Sequence, residues 1–157
     1  MLRMSKLTDY GIVVLSHMAG EPRQLYNAAQ IAADVHIGPP TVSKILKLLS
    51  KGKLVVSYRG AGGGYRLARA PAEISVTEVI SAMEGPVGIT ECSSAGGSCA
   101  QESVCSVRPN WQRINDVIMN ALRDVTLADM TPRRGASGAA TLQWFAPDRF
   151  RTAESIR

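Results

Sequence analysis

A chain of 157 residues suits one compact domain with an appendage, and 45% hydrophobic residues is ordinary for a globular protein. The net charge of +5 is uneven: residues 1–70 hold ten Lys or Arg against three acids, a balance of +7, whereas residues 71–157 hold eight Arg against ten acids, a balance of −2. The basic half suits a polyanion, and no segment reaches the roughly 18 apolar residues that cross a bilayer, so a cytoplasmic protein with no membrane role is expected.

The opening MLRMSKLTDYGIVVLSHMAG begins like a signal peptide, but Asp9 and His17 interrupt the apolar stretch and an amphipathic helix fits better. Thr8 is its expected N-cap, Leu7, Tyr10, Val14, Leu15 and Met18 recur at helical spacing, and Gly20-Glu21-Pro22 ends it. A second helix is expected over about 27–35, with Ala28, Ile31, Ala32 and Val35 on one face. His36-Ile37-Gly38 makes a short turn. A third helix starts at Pro39 or Pro40, where proline is tolerated because first-turn N–H groups lack helical partners. Its apolar face is Val42, Ile45, Leu46 and Leu49.

Two short helices joined by a three-residue turn containing glycine form the helix-turn-helix pattern. At about 100° per residue, Pro40, Lys44, Lys47 and Lys51 fall opposite the apolar face, with Thr41 and Ser43 on its flanks. Such a stripe can offer donors to a DNA groove, though any solvated helix face looks the same. The next segment favours DNA. Residues 54–58 read as a strand, 59–64 as a glycine-rich turn and 65–69 as the returning strand, which together make the wing of a winged helix. The small side chains beyond Arg59 let that guanidinium and the backbone approach a phosphate or minor groove. A nucleotide-binding glycine loop would need a helix after the glycines. Here a strand and Pro71 follow.

Ser75-Val76-Thr77-Glu78 has capping-box spacing and precedes a helix with Val79, Ile80 and Met83 on one face. After the cysteine-bearing loop, a long helix is expected from residue 109 or 110 to 125. Trp111, Ile114, Ile118, Leu122 and Val125 alternate by three and four, a dimer seam. The expected fold is mainly α with a small β wing: a winged helix-turn-helix domain over 1–84, a cysteine loop over 85–108 and a dimerisation helix over 109–130. Residues 131–157 read as a tail in which Leu142, Trp144 and Phe145 could dock locally.

Cys92, Cys99 and Cys105 are the only cysteines, separated by six and five residues in the run ITECSSAGGSCAQESVCSV. Thiolates grouped in this way suit a metal or an iron–sulfur cluster. Zinc and a bare thiol redox sensor remain open, although structural zinc usually uses tighter Cys spacing. An odd number of thiols cannot be fully paired within one chain.

The stretches LTDYGIVVLSHMA, VSKILKLLSKGKLV, RGAGGGYRLARAP and ISVTEVISAMEGP, followed by three cysteines ahead of a long helix, resemble the Rrf family of bacterial winged-helix regulators, with its IscR-like and NsrR-like members. The likeness spans roughly residues 1–130. It implies a homodimer that binds a palindromic operator in double-stranded DNA and carries an iron–sulfur cluster, 2Fe–2S or 4Fe–4S, on Cys92, Cys99 and Cys105. In IscR-like members a histidine lies three residues after the third cysteine; here that place is Arg108, which cannot be a ligand. In NsrR-like members an aspartate in a TDYG run reaches across the dimer, and Thr8-Asp9-Tyr10-Gly11 makes Asp9 the candidate fourth ligand. A carboxylate in the first turn of a helix also simply suits the helix dipole. From their places on the helix face and wing, Pro40, Thr41 and Ser43 are expected near bases, Lys44, Lys47 and Lys51 on phosphates, and Arg59 in the minor groove. The opening MLRMSKLTDYG resembles the subgroup that represses the SUF cluster-assembly genes. A nitric-oxide- or redox-sensing repressor of NsrR type is the alternative. A cluster-carrying redox protein is more distant, because no acid/base constellation of an enzyme is present.

Overall fold

The computed structural model describes residues 4–60, 62–93, 99–101 and 103–131. Helices α1 (Lys6–Ala19), α2 (Ala28–Asp34) and α3 (Pro39–Lys51) are followed by strands β1 (Val55–Tyr58) and β2 (Gly64–Leu67). Then come α4 (Val76–Glu84), α5 (Arg108–Arg123) and α6 (Leu127–Met130), with 3₁₀ turns at Pro71–Glu73 and Glu91–Ser93. The mainly helical fold with a two-stranded wing is the expected one.

Helix α1 starts before Thr8. Ser5 is the N-cap, and its side chain accepts from the Thr8 N–H. Thr8 is fully buried, and a buried hydroxyl needs a partner. It donates to the Glu84 carboxylate at 2.5 Å, and the Ser5 N–H donates to the same oxygen at 2.9 Å. The last residue of α4 thus places a negative charge at the positive end of α1. The Thr8 hydroxyl and the Ser5 N–H hold the Glu84 carboxyl below its ordinary range, against a small opposing effect of burial.

The three N-terminal helices and the hairpin enclose one core. Leu15, Met18, Ile31, Val42, Ile45, Leu46, Leu49, Leu54 and Ile74 are all nearly inaccessible. The helical ones come from the faces that their spacing assigns, and Leu54 and Ile74 join them from the segments just before β1 and α4. Asn27 caps α2 by accepting from the Gln30 N–H at 2.7 Å. His17 Nε2 reaches Asp34 Oδ2 at 3.2 Å and stacks edge-on to Tyr26, which ties α1 to the end of α2. The strands pair antiparallel with Val55 opposite Leu67 and Tyr58 opposite Gly64. Tyr26 exchanges backbone hydrogen bonds with Tyr65 at 2.9 and 2.7 Å, fastening the α1–α2 connection to the outer edge of β2.

The capping box of α4 forms as its spacing predicts: the Glu78 N–H donates to Ser75 Oγ, and Glu78 accepts from the Ser75 N–H at 2.9 Å. Glu78 also accepts from Arg69 at 2.6 Å. Partial burial pushes its carboxyl upward, but the Ser75 N–H, the Arg69 guanidinium and the Ser75 hydroxyl together bring it below the ordinary value.

The C-terminal helix differs from the expected span of 109–130. Helix α5 stops at Arg123, and the chain turns back to the winged domain. The Val76 N–H donates to the Val125 carbonyl at 2.9 Å and the Leu127 N–H to the Ile74 carbonyl at 2.8 Å. A second capping box, Thr126 with Asp129, starts α6, and Leu127 enters the core at 1% exposure. Burial of Leu127 and the new backbone pairing outweigh continuation of the helix. Val125 therefore lies on the connection after α5, not on its face. The expected tail, with Leu142, Trp144 and Phe145, lies outside the described residues.

Candidate nucleic-acid interface and cysteine loop

Helix α3 buries Val42, Ile45, Leu46 and Leu49 completely, and this fixes its orientation. Pro40, Ser43, Lys44, Lys47 and Lys51 are exposed on the opposite side, and Thr41 is half-buried at the edge. Three lysines spaced three and four residues apart along one face can therefore meet a polyanion without moving the core. The first turn carries Pro39 and Pro40, and Gly38 caps it with no side-chain hydrogen bond.

The wing turn is built for close approach. A Cβ at Gly63 would lie 2.3 Å from the Tyr58 carbonyl oxygen, so only glycine fits, and Gly60 has φ +107°. Arg59 is exposed beside them. Sequence reading overlooked a second wing cation. The Arg66 guanidinium lies 5.3 Å from the centre of the Tyr58 ring and donates to the Tyr58 hydroxyl at 2.6 Å, with both residues exposed. The strand register foretells this pair: Arg66 faces Val56, two residues before Tyr58 on the same side of the hairpin.

The cysteine loop is anchored before its first thiol. The Ile89 N–H donates at 3.2 Å to Oδ1 of Asn115, the one buried side chain of α5. Cys92 lies in the 3₁₀ turn Glu91–Ser93, with its sulfur 3.3 Å from the Thr90 hydroxyl. Cys99 and Cys105 follow along the loop. All three thiols are free and half-buried. They are not gathered: among the described residues no three His, Cys, Asp or Glu side chains lie close enough together to hold a metal ion. Asp9 is exposed in the first turn of α1 and is not grouped with the cysteines of its own chain.

Helix α5 shows two faces. Arg108, Gln112, Asn115, Met119 and Leu122 are buried or half-buried. The Thr77 hydroxyl of α4 donates to the Met119 carbonyl. Roughly a quarter turn away, Val107, Trp111, Ile114 and Val117 are 49, 39, 44 and 56% exposed. Ile118 and Leu122 are half-buried at the margin between the two faces. Val107 and Val117, which the expected seam did not include, are exposed beside Trp111 and Ile114.

Residues 4–133 match the model of the Rrf2 family, described as iron-dependent transcriptional regulators. The chain belongs to the Rrf2 family. It is 30% identical over 137 residues to the transcriptional regulator NsrR of Geobacillus kaustophilus, covering 86% of this chain and 93% of that protein. The regulator IscR of Cronobacter sakazakii is 35% identical over 89 residues, 57% of this chain and 54% of that one. Among solved structures, CymR, the global cysteine regulator of B. subtilis, superposes with a TM-score of 0.65 at 26% identity, covering 83% of this chain and 96% of that one. The T. potens IscR structure gives 0.58 at 29% identity over 82% and 85%. This Rrf2 protein is thus a DNA-binding transcriptional regulator of the IscR and NsrR type, and its relatives are regulators, not enzymes. Among its described residues no helix is long and apolar enough to cross a membrane.

Proposed function

We propose that this Rrf2 regulator is a homodimeric repressor whose grip on a palindromic operator depends on an iron–sulfur cluster, with the SUF-type cluster-assembly genes as its target. The observation that carries the reading is the set of three free thiols on one loop, pinned to α5, in a chain of this family. The donor chemistry fits such a group, since thiolate is the usual ligand of clustered iron. Cys92, Cys99 and Cys105 would hold it, with Asp9 of the partner subunit as the fourth donor. The thiols are not preassembled, which suits ligands ordered by the metal they bind. When bound, the cluster would supply an iron site open to exchange at its carboxylate corner, because oxygen is a weaker donor than sulfur there.

The chain's own residues provide the rest. The open apolar stripe of Val107, Trp111, Ile114 and Val117, with Ile118 and Leu122 at its edge, supports pairing of two α5 helices. Lys44, Lys47 and Lys51 would neutralise phosphates, Pro40, Thr41 and Ser43 would lie against bases, and Arg59 would enter the minor groove. The loop touches α5 through Asn115 and leaves α4 at Gly85, so its conformation bears on both the dimer helix and the winged domain.

An NsrR-type sensor of nitric oxide or oxidants is the second reading. It is favoured by the longer match to NsrR and by Arg108 where IscR-like members carry histidine. The test is anaerobic binding to promoter DNA before and after iron removal, with and without nitric oxide. Wild type should change affinity at each step, and Asp9→Ala should lose its iron faster with unchanged apo-protein folding. Equal DNA affinity with and without iron sinks the proposal.

A further inference from the structure

Helix α3 closes with a Schellman turn: the Lys53 N–H donates to the Ser50 carbonyl at 3.0 Å and the Leu54 N–H to the Leu49 carbonyl at 2.9 Å. Leu49 and Leu54 are both in the core, which supplies the apolar contact that goes with this motif. The turn puts the residue after the C-cap in the left-handed region, which glycine enters without steric cost. In this chain the glycine stands one place earlier. Gly52 is required there, since a Cβ would lie 2.5 Å from the Ala82 Cβ of α4. The left-handed position falls to Lys53, at φ +59°.

The fold itself draws nothing from that side chain. Lys53 is exposed, and neither ion pair found among the described residues includes it. Among the described residues the other non-glycine with positive φ, His36 at +54°, is of a type that tolerates this conformation. A long cation held in an unfavourable backbone state points to a role outside the fold. Its place suggests which one. Lys53 follows Lys51, the last lysine of the α3 stripe, and precedes β1, which runs toward Arg59 and the wing.

We propose that Lys53 is a DNA-backbone contact joining the footprint of the recognition helix to that of the wing, its ammonium set against a phosphate as a point charge. This rests on the reading of α3 as the recognition helix.

The experiment uses full-length Lys53→Gly, Lys53→Asn and Lys53→Arg, with Lys44→Ala/Lys47→Ala as the control for α3. Denaturant midpoints are measured alongside binding to a labelled random-sequence duplex across a salt series. Lys53→Gly and Lys53→Asn should unfold at higher denaturant than wild type, because both relieve the left-handed strain. They should bind DNA roughly three- to tenfold more weakly, with log K against log salt shallower by about 0.9 for each protomer. Lys53→Arg should stay near wild type in both. A stabilised Lys53→Gly protein with wild-type affinity and salt slope overturns the proposal. If Lys44→Ala/Lys47→Ala then still loses affinity, the α3 reading survives alone; if it too binds normally, both fall.

Discussion

The winged half and the cysteine-loop half of this regulator place their apolar side chains in opposite ways. Up to Ile80 most large aliphatic residues of the helices lie inside, and Val14, Leu15, Ile31, Ile45, Leu46 and Leu49 are fully inaccessible, with Val13 the exposed exception. Among the described residues from Gly85 to Arg123 the buried side chain is a polar one, Asn115, while Trp111, Ile114 and Val117 face outward. Among the described residues beyond Arg123, Leu127 returns to the core. The first half is folded by its own hydrophobic burial. The second presents half-buried thiols and an exposed apolar stripe, the surface that the proposed dimer would cover.

The sharpest way to break that contrast is to truncate one residue on each side. Leu46→Ala should cost about 2–5 kcal/mol in urea unfolding, the range for a buried leucine left with a cavity. Ile114→Asp should keep the helical content of the protomer and convert the proposed dimer to monomer in sedimentation. An unfolded Ile114→Asp protein, or one that still sediments as a dimer, would erase the distinction.

The clasp between α1 and α4 comes next. Thr8→Val removes the hydroxyl that donates to Glu84 and should cost about 1–3 kcal/mol, since a hydrogen bond from a buried donor to a charged, exposed acceptor is lost. Helix caps rank lower. Ser75→Ala in α4 and Thr126→Ala in α6 should each cost about 0.5–2 kcal/mol by thermal or urea melting. The Thr126 effect brings the return of Leu127 under the same test, because it weakens the segment that rejoins the two halves.

The smallest effect is one of pH. The Glu84 carboxyl is lowered in the folded state, so the unfolded chain binds that proton more readily. Its stabilisation is complete above its ordinary value of 4.5 and is lost as pH falls through the lower folded value. Glu84→Gln should flatten the acid limb of a stability–pH curve while leaving its neutral region little changed in shape. An acid limb unchanged by Glu84→Gln would remove that carboxylate from the account.

Much of the winged half was legible because its signals are local. The α3 spacing assigned Val42, Ile45, Leu46 and Leu49 to the core and the lysines to solvent. Ser75 and Glu78 announced the start of α4, and the glycine run between two short strands announced the wing. Thr8 misled because it carries capping chemistry, yet Ser5 caps α1 and Thr8 is held by Glu84, 76 positions away. Nor can periodicity show that α5 ends at Arg123: Val125 continues the apolar pattern, yet its carbonyl accepts from the Val76 N–H and Leu127 pairs with Ile74. The thiols were conspicuous, but loop spacing carries no information on whether sulfur atoms meet before a metal arrives.

The central claim is that the three thiols carry an iron cofactor. Its most direct test is the visible spectrum of protein purified without oxygen, with iron and acid-labile sulfide counted per chain. The account predicts a brown protein containing both elements, and loss of both in Cys92→Ala, Cys99→Ala or Cys105→Ala without loss of helical content. A colourless, iron-free wild-type protein that still selects its promoter would contradict it.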